Sequence, residues 1–175
     1  MDRRLFLIGA LALGGCATVP AAPSVETRPL TLDQAFVGQQ RGTGVFRVTL
    51  TGNERRFNAL LNGRLTNNGQ RLTVVEDFSY DDGEKNRLTW VFDRSGPGQW
   101  AGRRDDTVGM ASATEEDGLV RLRYTADFAA NGKVTRLGFE DVIYLRTDSV
   151  IVNDAIVTKS GIPVGSVRFE IGPDA

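Results

Sequence analysis

The chain has no histidine and a single cysteine among its 175 residues. Without histidine it lacks the commonest general base near neutral pH and the commonest metal ligand. The one cysteine, Cys16, lies inside the N-terminal apolar run, so neither an intrachain disulfide nor a thiolate zinc site can form. Ser-His-Asp and Cys-His hydrolases are excluded on these grounds. A basic excess is also missing. Lys and Arg total 21 against 22 Asp and Glu, for a formal net charge of -1, which leaves nothing to neutralise a nucleic-acid backbone. The best glycine-rich stretch, Ser95-Gly96-Pro97-Gly98, reads as a turn and not as a phosphate cradle. No motif implies a metal or another cofactor.

The N-terminus has three parts. Arg3 and Arg4 are a positive start, and Leu5 to Leu13 are apolar but too short for the roughly 20 residues a membrane-spanning helix needs. Gly14 and Gly15 then precede Cys16. This is the layout of a secretory signal, and Leu13-Gly14-Gly15-Cys16 resembles the lipobox of bacterial lipoproteins. That resemblance implies cleavage before Cys16, a diacylglyceryl group on its sulfur and an acyl chain (commonly palmitate) on the new amino terminus. Two or three chains, at about 0.8 kcal/mol per buried CH₂, anchor a protein stably where one does not. Residues 1–15 are therefore expected to be a signal peptide and residues 16–29 a lipidated tether. The tether is rich in small residues and proline, so it should be extended and unpacked. Ala17 is not the aspartate that resembles an inner-membrane retention signal, which points to the outer membrane, facing the periplasm. Arg3-Arg4-Leu5-Phe6-Leu7 also resembles the twin-arginine export motif, and the choice between that route and the general one stays open.

Residues 30–175 read as one all-β domain. Thr31 to Phe36 suit a single helical turn, with Thr31 and Gln34 at capping-box spacing. Beyond it the hydrophobic period is two. Phe46, Val48 and Leu50 alternate with polar residues, as do Phe57, Ala59, Leu61 and Leu65, and Val120, Leu122, Tyr124, Ala126 and Phe128. Asn-Gly, Asp-Gly and similar pairs punctuate these runs at hairpin intervals. About eight to ten strands in an antiparallel meander close most economically into a barrel, lipocalin-like in type, because closure removes exposed edges. A two-sheet sandwich is the alternative.

Three acidic groups stand out: Glu76-Asp77 with Asp81, Asp82 and Glu84; Asp105-Asp106; and Glu140-Asp141. By alternation Glu76 shares a face with Leu72, Val74, Phe78 and Tyr80, and Asp141 shares one with Phe139, Ile143 and Leu145. A carboxylate among apolar neighbours must be paired, hydrogen-bonded or protonated. Arg87, Arg103, Arg104 and Arg123 are available partners. One reading is a structural Arg–carboxylate network with the Asp81 to Glu84 tip in water. The other is that Glu76, Asp106 and Asp141 converge inside the barrel on a ligand, on a hard cation or as an acid–base pair.

Glu76-Asp77-Phe78-x-Tyr80-Asp81-Asp82-Gly83-Glu84, Arg87-x-x-Trp90 and Asp106-x-Val108-Gly109-x-Ala111 resemble segments of one family. Phe139-x-Asp141-x-x-Tyr144, Asn153 and Lys159-x-Gly161-x-x-Val164-Gly165 do so too. The family is the proteobacterial lipoprotein group known as domain of unknown function 3833, and the resemblance runs from about Leu30 to Phe169. It departs at Val142-Ile143, where similar chains carry Trp-Met, and at Asp154, where they carry Arg. The resemblance implies an anchored β-rich domain and a lipid-related role, with no established activity. Three readings follow. A binding module would hold an apolar or lipid-like ligand near Glu76, Phe78, Tyr80, Arg87, Trp90, Asp106, Tyr124, Phe139, Asp141 and Tyr144, with Trp100 and Phe128 as further wall residues. A scaffold would have a filled barrel and act through its loops. An enzyme would need the carboxylates in a cleft, without histidine, metal or nucleotide loop. The binding module is preferred, and no catalytic residue is assigned.

Overall fold

The computed structural model describes residues 19–130 and 132–172, and most of these residues are in strands. The signal segment and Cys16 lie outside the described residues. In chain order the elements are β1 (Thr27–Arg28), α1 (Leu32–Phe36), β2 (Gly38–Val48), β3 (Glu54–Thr66), β4 (Arg71–Tyr80) and β5 (Lys85–Gly96). They continue with β6 (Gln99–Arg103), β7 (Ala111–Glu116), β8 (Leu119–Ala130), β9 (Lys133–Arg146), β10 (Ile151–Lys159) and β11 (Ile162–Gly172).

From β2 onward each strand pairs antiparallel with the next, and β11 pairs back onto β2 through Gly165 to Gly172. The result is a closed ten-stranded barrel, so the sandwich alternative is set aside. The turns explain why a meander forms. Asp117-Gly118 and Ser160-Gly161 take positive φ at both positions, as a two-residue hairpin loop matched to strand twist requires. The period-two pattern is realised most cleanly in β3, where Phe57, Ala59 and Leu61 are buried and Asn58, Leu60 and Asn62 are exposed. Leu50 departs from it: β2 ends at Val48, and Leu50 sits in the following turn, 93% exposed.

One end of the barrel is plugged by α1. Leu32, Ala35 and Phe36 join the main core with Leu30, Phe92, Trp100 and Ile171. The helix is short, so its exposed backbone donors need outside partners. Glu115 Oε1 accepts from both Leu32 N–H (2.9 Å) and Trp100 Nε1–H (2.8 Å), and Gln34 Oε1 accepts from Thr31 N–H (3.2 Å). Gly63 makes the close seat: a Cβ there would lie 1.6 Å from the carbonyl oxygen of Phe36.

The tether is less detached than its composition suggests. Thr27 and Arg28 form a strand against Arg146 and Leu145, and Leu30 N–H donates to Gly118 O (3.0 Å). Strand pairing thus reaches back to Thr27, into the stretch expected to be tether. Nearby, Leu119, Val142, Tyr144 and Val152 form a separate buried cluster on the outside of the wall.

At the other end the wall has a notch, because β6 and β7 are short. β6 meets β5 only from Val91 onward, and β7 meets β8 only up to Arg123. The 104–110 loop fills the gap. Asp105 Oδ2 accepts from Thr89 N–H (2.7 Å), Val108 N–H donates to Thr125 O (2.8 Å), and Asp127 N–H donates to Asp106 O (2.9 Å). This backbone stitching fixes Arg104 and Asp106 beside the barrel interior.

Candidate functional site: a polar cluster in an aromatic-lined cavity

Alternation alone carries the candidate side chains inward. On β4, Val74, Glu76, Phe78 and Tyr80 point into the barrel; on β9, Phe139 and Asp141 do the same. They border a cavity of about 140 Å³ whose lining reaches as far as Phe36 of α1. Two aromatic groups form its walls. Trp90 stands edge-on to Tyr124 (5.1 Å between centroids), and Tyr124 stacks on Phe139 (4.7 Å). Opposite, Phe57 contacts Phe78 (5.5 Å), Tyr80 (6.0 Å) and Phe169 (5.2 Å). Phe57 and Phe169 fit because β2 offers them bare backbone: a Cβ on Gly44 would lie 2.2 Å from the ring of Phe57, and one on Gly42 would lie 2.4 Å from that of Phe169.

The polar cluster sits among these rings. Arg104 Nε–H donates to Asp106 Oδ1 (2.7 Å) and its Nη2 donates to Oδ2 (2.9 Å), a two-pronged pair. The same guanidinium lies over Trp90 and Tyr124, 5.0 and 5.1 Å from their centroids. Glu76 Oε2 is 3.7 Å from Arg104 Nη1, an ion pair too long to be a hydrogen bond. Asp141 Oδ2 accepts from Asn153 Nδ2 (3.0 Å). That leaves Glu76 Oε2, Asp141 Oδ1 and Asn153 Oδ1 buried without a hydrogen-bond partner.

Burial dominates the electrostatics. It pushes the Glu76 carboxyl up to about 7, although the neighbouring Arg104 pulls the other way. It pushes Asp141 up to about 7 as well, against the Asn153 hydrogen bond and the Arg104 charge. Tyr124 is raised well above its ordinary value by burial. For Arg104 burial works against the charge, but Tyr124, Asp106 and Glu76 together outweigh it, and the guanidinium pKa is raised.

Of the candidate residues, Glu76, Phe78, Tyr80, Trp90, Asp106, Tyr124, Phe139 and Asp141 therefore converge on one cavity, which Phe128 also lines. Three others do not. Arg87 points outward and pairs with Asp77, directly opposite it on β4 (2.6 and 2.9 Å). Tyr144 belongs to the outer cluster, its hydroxyl donating to Asp154 Oδ2 (3.0 Å). Trp100 packs at the plugged end with Arg94 over its ring at 4.0 Å. Asp154, where similar chains carry Arg, pairs with Arg168 at 3.1 Å. Nor is the acidic tip simply in water: Asp82 and Glu84 both grip Arg55, whose guanidinium lies 3.7 Å over the Tyr80 ring.

Sequence reasoning also missed residues that matter. Arg55 precedes Phe57 by two, and Asn153 falls between Ile151 and Ala155, so the same period-two argument assigns both inward. Choosing Arg104 from the available arginines needed the loop geometry. Among the described residues no group of three His, Cys, Asp or Glu side chains assembles into a metal-ligand set.

The model of one family, described as a protein of unknown function (DUF3833), matches residues 10–172. The chain belongs to that family. Curated proteins give no match. Among solved structures, the S-type phycobiliprotein lyase CPES from Guillardia theta is similar in fold, with a TM-score of 0.54. Sequence identity is 12%, over 79% of this chain and 86% of the other. At that identity the likeness concerns architecture alone: this DUF3833 member has the lipocalin-like barrel the strand pattern predicts.

Proposed function

We propose that the protein is an envelope lipoprotein whose barrel binds an apolar or lipid-like small molecule. It is held to the outer membrane by lipid on Cys16 and faces the periplasm. The observation that carries the binding reading is the cavity itself: aromatic walls enclosing three buried oxygens that lack a partner. A core built only for stability does better with apolar residues there, since half-satisfied buried polar groups cost more than they return. Keeping them suits a site that a ligand completes. The role is binding rather than catalysis.

The anchor reading rests on the lipobox-like segment, and the tether adds a geometric consequence. It meets the wall at Arg146 and Leu145, at the plugged end. Eleven residues from Cys16 to Thr27 span at most about 40 Å. With lipid on Cys16 a tether of that reach keeps the domain near the bilayer surface, where ligand exchanges with the periplasm or with a partner. A scaffold reading has one feature in its favour: Met110, 62% exposed, and Val108 lie on the notch-filling loop.

Native mass spectrometry with organic extraction tests the reading on residues 19–175, purified from the periplasm without detergent. The expected result is a co-purifying apolar small molecule that is lost when Phe139→Asp opens the aromatic wall in a chain that still folds. A bare mass, with no thermal shift from any lipid offered, sends the search to proteins that dock on the 104–110 loop.

A further inference from the structure

The polar atoms of the cavity are not a balanced set. Of the four cavity atoms that lack a partner, three are oxygens, Glu76 Oε2, Asp141 Oδ1 and Asn153 Oδ1, and the fourth is a nitrogen, Arg55 Nη1. Their carriers are well enclosed, with Glu76 7% and Asp141 5% exposed. The cation beside them, Arg104, already has both prongs on Asp106. At the rim Arg55 is matched by Asp82 and Glu84 together, with Nη1 its one unpartnered nitrogen. Each arginine reaching the cavity is therefore offset by at least one carboxylate, before Glu76 and Asp141 are counted.

Granting the ligand-binding reading above, we propose that the ligand presents a hydrogen-bond-donating polar end, a hydroxyl or an ammonium, to Glu76, Asp141 and Asn153. Its apolar body runs toward the mouth between Phe57 and Phe139, and carboxylate amphiphiles of the same length are rejected. A donor gives the orphaned oxygens what they lack, and satisfying buried acceptors is worth far more here than in water. A carboxylate brings two more acceptors and a further negative charge into a low-dielectric pocket with no uncommitted cation in the cluster. The selectivity thus comes from what the site repels as much as from what it attracts.

The test uses residues 19–175, which hold the whole described core, and a matched set of eight-carbon probes: octan-1-ol, octylamine and octanoate. Titration calorimetry at pH 8 should show the alcohol and the amine binding, and octanoate weaker by about tenfold or more. Replacing both carboxylates by amides, Glu76→Gln with Asp141→Asn, should shrink the octanoate penalty and erase any advantage of the amine over the alcohol. If octanoate binds the native chain as tightly as octan-1-ol, held by Arg55 Nη1 for instance, the donor inference is overturned while ligand binding stands. If none of the three binds, the ligand-binding reading falls and takes this inference with it. The comparison of head groups on the native chain decides the matter even if the double variant does not fold.

Discussion

On the outer wall Arg71 faces Asp93, Arg87 faces Asp77 and Arg136 faces Asp127, each pair directly opposite across neighbouring strands and each joined by two hydrogen bonds. Inside the barrel Arg104, Asp106, Glu76 and Asp141 use the same side-chain chemistry with water excluded. The arginines lower the pKa of Asp77, Asp93 and Asp127. Inside, burial overrides the arginine, and Glu76 and Asp141 rise instead. Solvated pairs of this kind add little to stability because water already satisfies both partners and salt screens them. The inner cluster has no such alternative, so each of its members depends on the others. The inner cluster is polar material with unpartnered oxygens in an interior otherwise lined mostly by apolar side chains.

Removing one inner cation should give the largest effect. Arg104→Met leaves Asp106 and Glu76 buried without their counter-charge, and a loss of about 3–5 kcal/mol in urea unfolding is expected. A loss no greater than that of Arg87→Met would show that water reaches the cluster and would dissolve the contrast.

The two regions should next separate by pH. Glu76 and Asp141 have folded-state values raised to about 7, so their contribution is fully present below their unfolded values and is lost as pH rises through 7. The outer aspartates behave oppositely: their lowered values give stability that is present above about 4 and lost as pH falls further. Thermal melts should therefore be highest near pH 5 and decline toward pH 8, by on the order of 2–3 kcal/mol for each inner carboxylate. A double variant, Glu76→Gln with Asp141→Asn, should flatten the alkaline side and leave the acid side unchanged. A native profile that is level from pH 5 to 8 would mean the carboxylates are hydrated.

A smaller change sharpens the picture within the cluster. Asn153→Ala takes away the hydrogen bond to Asp141 (3.0 Å), and a cost of about 1–3 kcal/mol follows from leaving a buried acceptor unmet. The cost should be greater at pH 8 than at pH 5, because the ionised carboxylate needs the donor more. Equal costs at both pH values would place the Asp141 charge elsewhere. Smallest of all, Asp77→Asn on the outer wall should leave the melting midpoint within experimental scatter, in low salt and in high. A clear drop would make the outer pairs structural after all.

Much of this barrel was legible in the chain. Strict alternation from Phe57 to Leu61 and from Val120 to Ala126 told which face of each strand is dry, and the Asp117-Gly118 and Ser160-Gly161 pairs told where the chain reverses. The same alternation placed Glu76, Phe78, Tyr80, Phe139 and Asp141 on the inner face. Tyr144 stands among the expected wall residues although alternation sets it on the face opposite Asp141, and that outer face is buried too, in a cluster of its own. Arg87 was drawn into the site by its place in an acidic motif, although its position opposite Asp77 turns it to solvent.

The sequence by itself determined a ten-strand-scale meander, its turns, its inner and outer faces, and the presence of carboxylates on the inner one. These follow from local rules: a side chain's face depends only on its neighbours at i±1 and i±2, and a turn on its own φ angles. Which arginine meets which carboxylate was decided only in three dimensions. Arg104 and Glu76 lie on segments separated by β5 and β6, and they meet because the short β6 and β7 leave a notch for the 104–110 loop to fill. Barrel closure sets that geometry through long-range pairing, and burial there sets the charge state. Neither leaves a mark within the few residues that a sequence pattern spans.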